Sequence, residues 1–251
     1  MSGSRTRAGG SANGLGYIPG MTLTPDATAP STAASGKPNG LFAALRAGAL
    51  TDPAQLREVY EQPGDHARRK QVDRLHEVAQ RLIACSSLVF VASSDAAGRC
   101  DVSPRGGPAG LVSVLDEYTL AIPDATGNKR LDTLHNILEN GRVGLLFVVP
   151  GRDTTLRVNG RACVSTDPEL LRQLTAVGKP PRSAIVVAVE EVYAHCPKSL
   201  LRASAWKPEN WLAKDAQPSS AEVTLSHLRD DSLTVEMIEQ AEREALLYRY
   251  E

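Results

Sequence analysis

The spacing of apolar residues changes along the chain and separates it into segments of different structure. Residues 1–40 are rich in Gly, Ser, Ala, Thr and Pro and have no apolar period, which predicts a disordered tail. Between 67 and 84, apolar residues recur at helical spacing, which predicts one amphipathic helix. We therefore expect a helical N-terminal extension over 41–84 and a helical C-terminal extension over 213–251.

The central region, 85–212, has the pattern of short strands. Residues 154–165 alternate between apolar and polar, and Asp116-Glu117 marks a hairpin turn. A short helix over 131–138 is expected to end at Asn140-Gly141. Hairpin-linked strands with inserted and flanking helices predict a mainly β (α+β) fold built on a small barrel, and they disfavour a doubly wound parallel sheet. The predicted strands lie near 88–92, 99–103, 111–115, 118–122, 143–149, 154–165 and 184–192.

Charge and cysteine content restrict the classes of function. The 251 residues include 28 basic and 29 acidic side chains, so no strong field is available to attract nucleic acid or an anionic membrane. The four cysteines are far apart and form no CxxC pair, which fits a reduced, cytoplasmic setting. The longest apolar runs are far too short to span a bilayer, and the N-terminus lacks the apolar run of a secretory signal.

Three segments combine cations with glycine at predicted strand ends or helix starts: 101–108, 124–133 and 155–161. A phosphate ester is bound well by cations together with backbone N–H donors, which a helix N-terminus supplies, and arginine adds bidentate geometry. The short apolar strands between these segments could carry a flat aromatic ligand. The residues therefore predict a phosphate-bearing cofactor, with flavin mononucleotide (FMN) as the best candidate, although each cation taken singly could be an ordinary surface residue.

The order of these motifs resembles the pyridoxamine 5′-phosphate oxidase-like, FMN-binding split-barrel family. The residues concerned are Ser103-Pro-Arg-Gly106, Gly127-Asn-Lys-Arg130, the segment 140–147 and the segment 155–162. His195-Cys-Pro-Lys198, followed by Arg202 and Trp206, is similar to an actinobacterial branch of that family. Over about residues 52–212, the resemblance implies a six-stranded split barrel, a homodimer, and FMN bound in a groove between the subunits.

The resemblance also implies which residues bind the cofactor. Arg105 matches an arginine that reaches the FMN phosphate, and Lys129 and Arg130 match a basic pair that binds the same phosphate. Thr155 matches a polar side chain that touches the ring or ribityl chain, and Trp206 matches a tryptophan that packs beside the flavin. The complete predicted set is Ser103, Arg105, Asn128, Lys129, Arg130, Thr155, Arg157 and Trp206.

The C-terminal part of the motif departs from true pyridoxamine phosphate oxidases. In those enzymes a tryptophan is followed by an Arg-x-His-type segment that holds the substrate phosphate, whereas this chain has Trp206-Lys-Pro-Glu-Asn-Trp211. The predicted function is therefore an FMN-dependent oxidoreductase that exchanges a hydride at flavin N5 with an unidentified small molecule. A deazaflavin-dependent reductase and a non-catalytic flavin- or haem-binding protein remain alternatives.

Other polar residues of the region have simpler interpretations. A solvated strand face explains Asn159 and Arg161 about as well as ligand contact does. His195 beside Cys196 suggests a metal site, but three or four ligands at regular spacing cannot be assembled, so no metal is predicted. No side chain of the chain is expected to act as an obligatory covalent catalyst.

Overall fold

The computed structural model describes residues 40–125, 127–174 and 180–249. The chain divides into two units, residues 1–62 and residues 63–251. Within the first unit, two short helices are described, α1 (Gly40–Arg46) and α2 (Gln55–Val59). The tail predicted for residues 1–40 lies outside the described residues, apart from Gly40.

The second unit is built on one antiparallel sheet of seven strands in the order β2-β1-β5-β6-β7-β4-β3. Each predicted strand segment overlaps one observed strand, and the predicted hairpin at Asp116-Glu117 joins β3 to β4. The strands are β1 (Leu88–Ser94), β2 (Cys100–Gly106), β3 (Ser113–Asp116), β4 (Thr119–Pro123), β5 (Arg142–Val148), β6 (Leu156–Ser165) and β7 (Ala184–Ala194).

The six-stranded count implied by the family resemblance is not confirmed, because the sheet has seven strands. Its two end strands are β2 and β3, and no pairing between them closes the sheet in the described part of the chain. The hairpin of β3 and β4 instead extends the sheet along one half of β7, from Ala184 to Ala188. The mainly β class with inserted and flanking helices is confirmed.

Helices flank and interrupt the sheet. The predicted short helix after the basic segment is present and ends at Asn140, followed by Gly141 with a φ of 68°. None of the described helices combines the length and apolar composition needed to span a bilayer. The remaining elements are α3 (Asp65–Arg69), α4 (Glu77–Cys85), α5 (Asp132–Glu139), α6 (Pro168–Gln173), α7 (Lys198–Arg202), α8 (Ser220–Leu228) and α9 (Val235–Arg249), with 3-10 turns at Pro208–Asn210 and Lys214–Ala216.

The single amphipathic helix predicted over 67–84 is wrong. The chain leaves helical geometry after α3, and Val72 forms a β-bridge with Val192 through two backbone hydrogen bonds of 3.0 and 2.8 Å. Leu75 is completely buried, and its N–H donates to the carbonyl of Glu117. The part of β7 beyond β4 has a free edge, and this segment pairs with it. The pairing outweighs the helical period of the local sequence.

Strand register defines two faces of the sheet. The inner face carries the buried core residues Val89, Val91, Phe147 and Val158, and α5 packs its Ile137 against them. The outer face carries the intervening positions. In the register, Phe90 pairs with Leu146 and Leu146 with Arg157; Ala92 pairs with Gly144 and Gly144 with Asn159. On β2, Asp101, Ser103 and Arg105 lie opposite Ser93, Val91 and Val89, and so they belong to the inner face.

The turn between β1 and β2 depends on one buried carboxylate, that of Asp95. It accepts hydrogen bonds from the backbone N–H groups of Arg99 and Ala97 and from the Arg99 guanidinium. The Arg99 N–H, with these other donors, lowers the pKa of Asp95 although burial acts in the opposite direction. A depressed folded-state pKa stabilises the fold above the unfolded pKa of about 3.9, and this stabilisation is lost as the pH falls through the depressed value.

Asp95→Asn is expected to lower the melting temperature at neutral pH, with a deficit that shrinks as the pH is lowered below about 4. Thermal melts of both proteins across this pH range measure the effect. Asp65→Asn is the control, because the Asp65 carboxylate is exposed and pairs only with Arg69 of its own helix among the described residues. A deficit for Asp95→Asn that is constant with pH would show that the charge of Asp95 does not stabilise the turn.

Candidate functional site

The predicted phosphate-binding residues lie where β2 meets the start of α5. Ser103 and Arg105 are half-buried on the inner face of β2, an end strand of the sheet. Arg105 Nη1 donates to Asp124 Oδ1 at 2.7 Å, and only 20% and 17% of these two side chains is exposed. Asp124 directly follows β4, so this ion pair joins the inner side of β2 to the segment that precedes Asn128.

The loop that follows holds Arg130 between two residues of unusual backbone geometry. Lys129 and Leu131 have φ values of 63° and 62°, the left-handed region that costs a non-glycine residue on the order of 1–3 kcal/mol. Asn128 Oδ1 accepts from the Arg130 N–H at 3.0 Å, and Arg130 Nε donates to Asp132 Oδ2 at 2.8 Å. Strain of this kind concentrates at functional sites, and here it places a mostly exposed guanidinium just before the start of α5.

A second contact fixes α5 against the other end of the β2 segment. The buried Thr133 hydroxyl donates to Asp101 Oδ2 at 2.8 Å, and the Asp101 carboxylate is close enough to help raise the pKa of Arg130 after the larger effect of Asp132. The loop therefore runs from the Arg105 pair at one end to the Asp101 contact at the other, with Ser103 between them on the same face. We call these residues the cationic cluster: Ser103, Arg105, Asn128, Lys129 and Arg130.

The outer face carries a separate cavity of about 520 Å³, which we call the outer pocket. The pocket is deepest at its centre, because Ala92 and Gly144, which form the floor there, are small residues in adjacent strands. A Cβ at position 144 would lie 3.2 Å from Asn159 Oδ1 and would raise the floor. The lining residues are Phe90, Ala92, Val102, Gly144, Leu145, Leu146, Arg157, Asn159 and His195.

One wall of the outer pocket is polar and is held by Glu191. Glu191 Oε1 accepts from Arg157 Nη2 at 2.8 Å and from Asn159 Nδ2 at 3.0 Å, and Glu191 Oε2 accepts from Gln71 Nε2 at 2.8 Å. The Arg157 guanidinium stacks on the Tyr193 ring, 4.0 Å from its centroid. The wall is therefore a connected set of side chains.

His195 completes this wall as a neutral group. Its ring lies 4.9 Å from that of Tyr193, and burial, followed by the charges of Arg157 and Lys70, lowers the pKa of His195. Near neutral pH the imidazole can thus donate at one nitrogen and accept at the other. The pocket offers a cation and a neutral histidine above an apolar floor, which suits a flat ligand with hydrogen-bonding groups at its edge.

The last two predicted residues lie near the start of β6. Thr155 is buried, and its carbonyl accepts from the His195 N–H at 2.9 Å, so it borders the end of the pocket wall. Trp206 Nε1 donates to the carbonyl of Arg152 at 3.1 Å, which ties the segment after α7 to the turn before β6.

The structure therefore divides the predicted site residues into two groups. The cationic cluster lies at β2 and α5, with Arg105 on the inner face, whereas Arg157 lies on the outer face at the pocket. Sequence reasoning assigned no role to Asp101, Asp124, Thr133, Glu191 or Tyr193. The first three stand inside the basic motifs and could have been noted, but the contacts of Glu191 and Tyr193 depend on the register between β6 and β7.

Two buried polar side-chain atoms have no hydrogen-bond partner in the described part of the chain, namely Arg105 Nε and Arg157 Nε. A buried unpaired donor costs about 1–3 kcal/mol, and such a cost commonly marks a functional position. Each group of the site thus has one arginine whose Nε donor is unused, which fits a bound anionic or carbonyl-bearing cofactor. No group of three or more His, Cys, Asp or Glu side chains suited to a metal ion occurs among the residues described.

Comparison with known proteins places this fold in a family. The family model of pyridoxamine 5′-phosphate oxidase matches residues 75–196, which contain the whole sheet and both groups of site residues except Trp206. The match supports a pyridoxamine 5′-phosphate oxidase-like split-barrel fold for this segment, a flavin-type oxidoreductase fold. The match does not distinguish branches, so the actinobacterial branch stays a prediction. No curated protein matches the chain.

The chain is also similar to solved structures of proteins with different descriptions, and three of them illustrate this range. HupZ of Group A Streptococcus is 22% identical, with a TM-score of 0.40 over 47% of this chain and 92% of its own. A Clostridium acetobutylicum protein related to general stress protein 26 is 15% identical, with a TM-score of 0.38 over 47% and 85%. An F420 reductase is 17% identical, with a TM-score of 0.35 over 46% and 94%.

Proposed function

We propose that the protein is a cytoplasmic, homodimeric FMN-dependent oxidoreductase acting on a small molecule. The observation that carries the proposal is the pair of predicted cofactor-binding arginines, Arg105 and Arg157, whose Nε atoms are the buried donors without partners among the described residues. Bound FMN would supply hydride exchange at its N5 atom, the chemistry for which flavins are used in proteins.

The cationic cluster would bind the phosphate of FMN. Arg105, Lys129 and Arg130 supply the positive charge, and Ser103 and Asn128 supply neutral hydrogen-bonding groups beside them. Asp124 and Asp132 already pair with two of these cations, so the phosphate must compete with carboxylates for part of the guanidinium hydrogen bonds. Charge-assisted hydrogen bonds to a dianionic phosphate favour that exchange.

The outer pocket would bind the flavin ring. Its apolar floor suits the flat ring system, and Arg157 with Asn159 suits the polar edge of the ring. Thr155, at the end of the pocket wall, would contact the ring or the ribityl chain. Trp206 would pack near the ring, as the family resemblance implies, while the structure ties its indole N–H to Arg152.

A second copy of the chain would complete each site. Arg105 and Arg157 lie on opposite faces of one sheet, so a single flavin that used both would be best served by Arg157 of a partner subunit. The outer face also exposes apolar side chains, including Val102, which is 62% exposed. An apolar sheet face of this kind is typical of an isologous dimer interface.

The protein is expected to sediment at twice the chain mass at micromolar concentration. Analytical ultracentrifugation measures this, and Val102→Lys is expected to shift the equilibrium towards the monomer by placing a charge in the apolar face. Val223→Lys is the matched control, because Val223 is exposed on α8, outside that sheet face. A monomer that still binds FMN with wild-type affinity would contradict the shared site.

Oxidoreductase activity is tested by mixing the FMN-loaded protein anaerobically with reduced nicotinamide dinucleotides. Bleaching of the flavin absorbance faster than for free FMN supports an enzyme. A loaded protein whose flavin is reduced no faster than free FMN by either nicotinamide would favour the non-catalytic, flavin-storing alternative instead.

A further inference from the structure

Glu191 links strand β7, on which it lies, to the segment before α4. It lies on β7 opposite Asn159, at the point where the β6–β7 register shifts, and its side chain is 26% exposed. Its carboxylate accepts from three side chains of two separate segments: Arg157 and Asn159 on β6, and Gln71 beside the Val72 bridge. One carboxylate thus holds both β6 side chains of the polar wall, Arg157 through its Nη2 and Asn159 through its Nδ2.

The surroundings leave Arg157 little freedom. One face of its guanidinium lies on the Tyr193 ring, and Nη2 is held by Glu191. The same Tyr193 ring is approached by Lys70, 5.5 Å from its centroid, and Lys70 is itself fixed because its ammonium donates to the carbonyl of Ala194. Arginine has a long, flexible side chain, so holding it in one rotamer before a ligand arrives removes an ordering cost from the binding step.

We propose that Glu191 is a positioning residue of the outer pocket, which holds Arg157 and Asn159 ready to meet the acceptor atoms on the edge of a planar ring. The proposal rests on the proposed function, in which that ring is the isoalloxazine of FMN and the acceptors are those of its pyrimidine edge. Glu191 itself does not touch the ring; it acts through the two side chains that it holds.

Lumiflavin, which has the flavin ring without ribityl chain or phosphate, tests this directly. Glu191→Gln and Arg157→Met are each expected to weaken lumiflavin binding about tenfold in fluorescence titrations, the effect of losing one charge-assisted hydrogen bond. Glu190→Gln is the matched control, because Glu190 is the neighbouring glutamate and pairs with Arg142 and Arg161 instead of the pocket wall. It should bind lumiflavin within about twofold of wild type.

Glu191→Asp separates position from charge. It keeps the carboxylate but shortens the side chain by one methylene, so it cannot bridge the same donors, and lumiflavin binding should again fall severalfold. Wild-type affinity in Glu191→Asp would show that the charge alone suffices, and this would overturn the positioning role. Melting temperatures of all variants identify any that fail to fold. If Glu191→Gln fails to fold, Arg157→Met takes its place in the comparison with Glu191→Asp.

A second readout uses the ligand-free protein. If Glu191 positions Arg157, its replacement by Gln lets the guanidinium move away, and the pKa of His195 measured by NMR should then rise, as it should in Arg157→Met. Simple loss of a nearby carboxylate would lower that pKa instead. Suppose that the wild-type protein binds both FMN and lumiflavin. Either a fall in the His195 pKa or unchanged lumiflavin binding in Glu191→Gln then overturns this inference alone. A wild-type protein that binds neither flavin overturns the proposed function and the inference with it.

Discussion

Replacing Gly160 with alanine is expected to destabilise the folded protein by about 3 kcal/mol, the upper end of the usual range for overpacking a core. A Cβ at this position would lie 2.0 Å from the carbonyl oxygen of Ala188 in the adjacent strand. Gly160 and the Ala188 carbonyl belong to the paired backbones of β6 and β7, so neither can move without breaking the β6–β7 ladder. Thermal unfolding should show a melting temperature lower by roughly 6–12 °C.

Gly106→Ala is the matched control for this substitution. Gly106 is also a strand glycine, but the nearest atom to its added Cβ is the Ser87 carbonyl oxygen at 3.7 Å, an ordinary contact. Its melting temperature should stay close to that of wild type. If Gly160→Ala melts no lower than Gly106→Ala, then the backbones of β6 and β7 lie further apart at the register shift than this 2.0 Å approach requires.

Arg130→Ala is expected to weaken FMN binding roughly ten- to a hundredfold while leaving riboflavin binding nearly unchanged. A charge-assisted hydrogen bond to phosphate contributes on the order of 1.5–3 kcal/mol, and about 1.4 kcal/mol corresponds to tenfold in affinity. Riboflavin lacks the phosphate and so already forgoes the contact. The Arg130 side chain is 72% exposed, so its removal should disturb the fold little, and flavin fluorescence quenching measures both affinities.

Arg161→Ala is the control for phosphate recognition. Arg161 is also an exposed arginine, but it lies on β6, pairs with Glu190 and is outside the cationic cluster, so its loss should affect neither ligand. Equal losses of FMN and riboflavin affinity in Arg130→Ala would mean that Arg130 supports the fold of the loop and does not recognise phosphate.

The strands were predictable because their signals are local. Apolar runs and clean alternation in 154–165 reflect which side chains face the core, and turn residues mark where each strand ends. The prediction of one helix over 67–84 was wrong for the opposite reason. The period of this segment is helical, but the unpaired edge of β7 takes Val72 as a bridge partner, and no local pattern carries that information.

The site was only partly predictable for similar reasons. Cations beside glycine at a helix start indicate phosphate chemistry, and the structure places Lys129 and Arg130 at the start of α5. The position of Arg157 on the opposite face from Arg105 follows from strand order, and the role of Glu191 follows from the shifted register between β6 and β7. Both are long-range properties that spacing along the chain does not determine.

The visible absorbance spectrum of the purified protein, combined with the mass of the extracted cofactor, tests directly whether the protein binds FMN. Binding of FMN predicts the bands of oxidised flavin and the mass of FMN, with equimolar FMN and chain after reconstitution. A Soret band of haem, the mass of a deazaflavin, or a colourless protein that takes up no added FMN would contradict it.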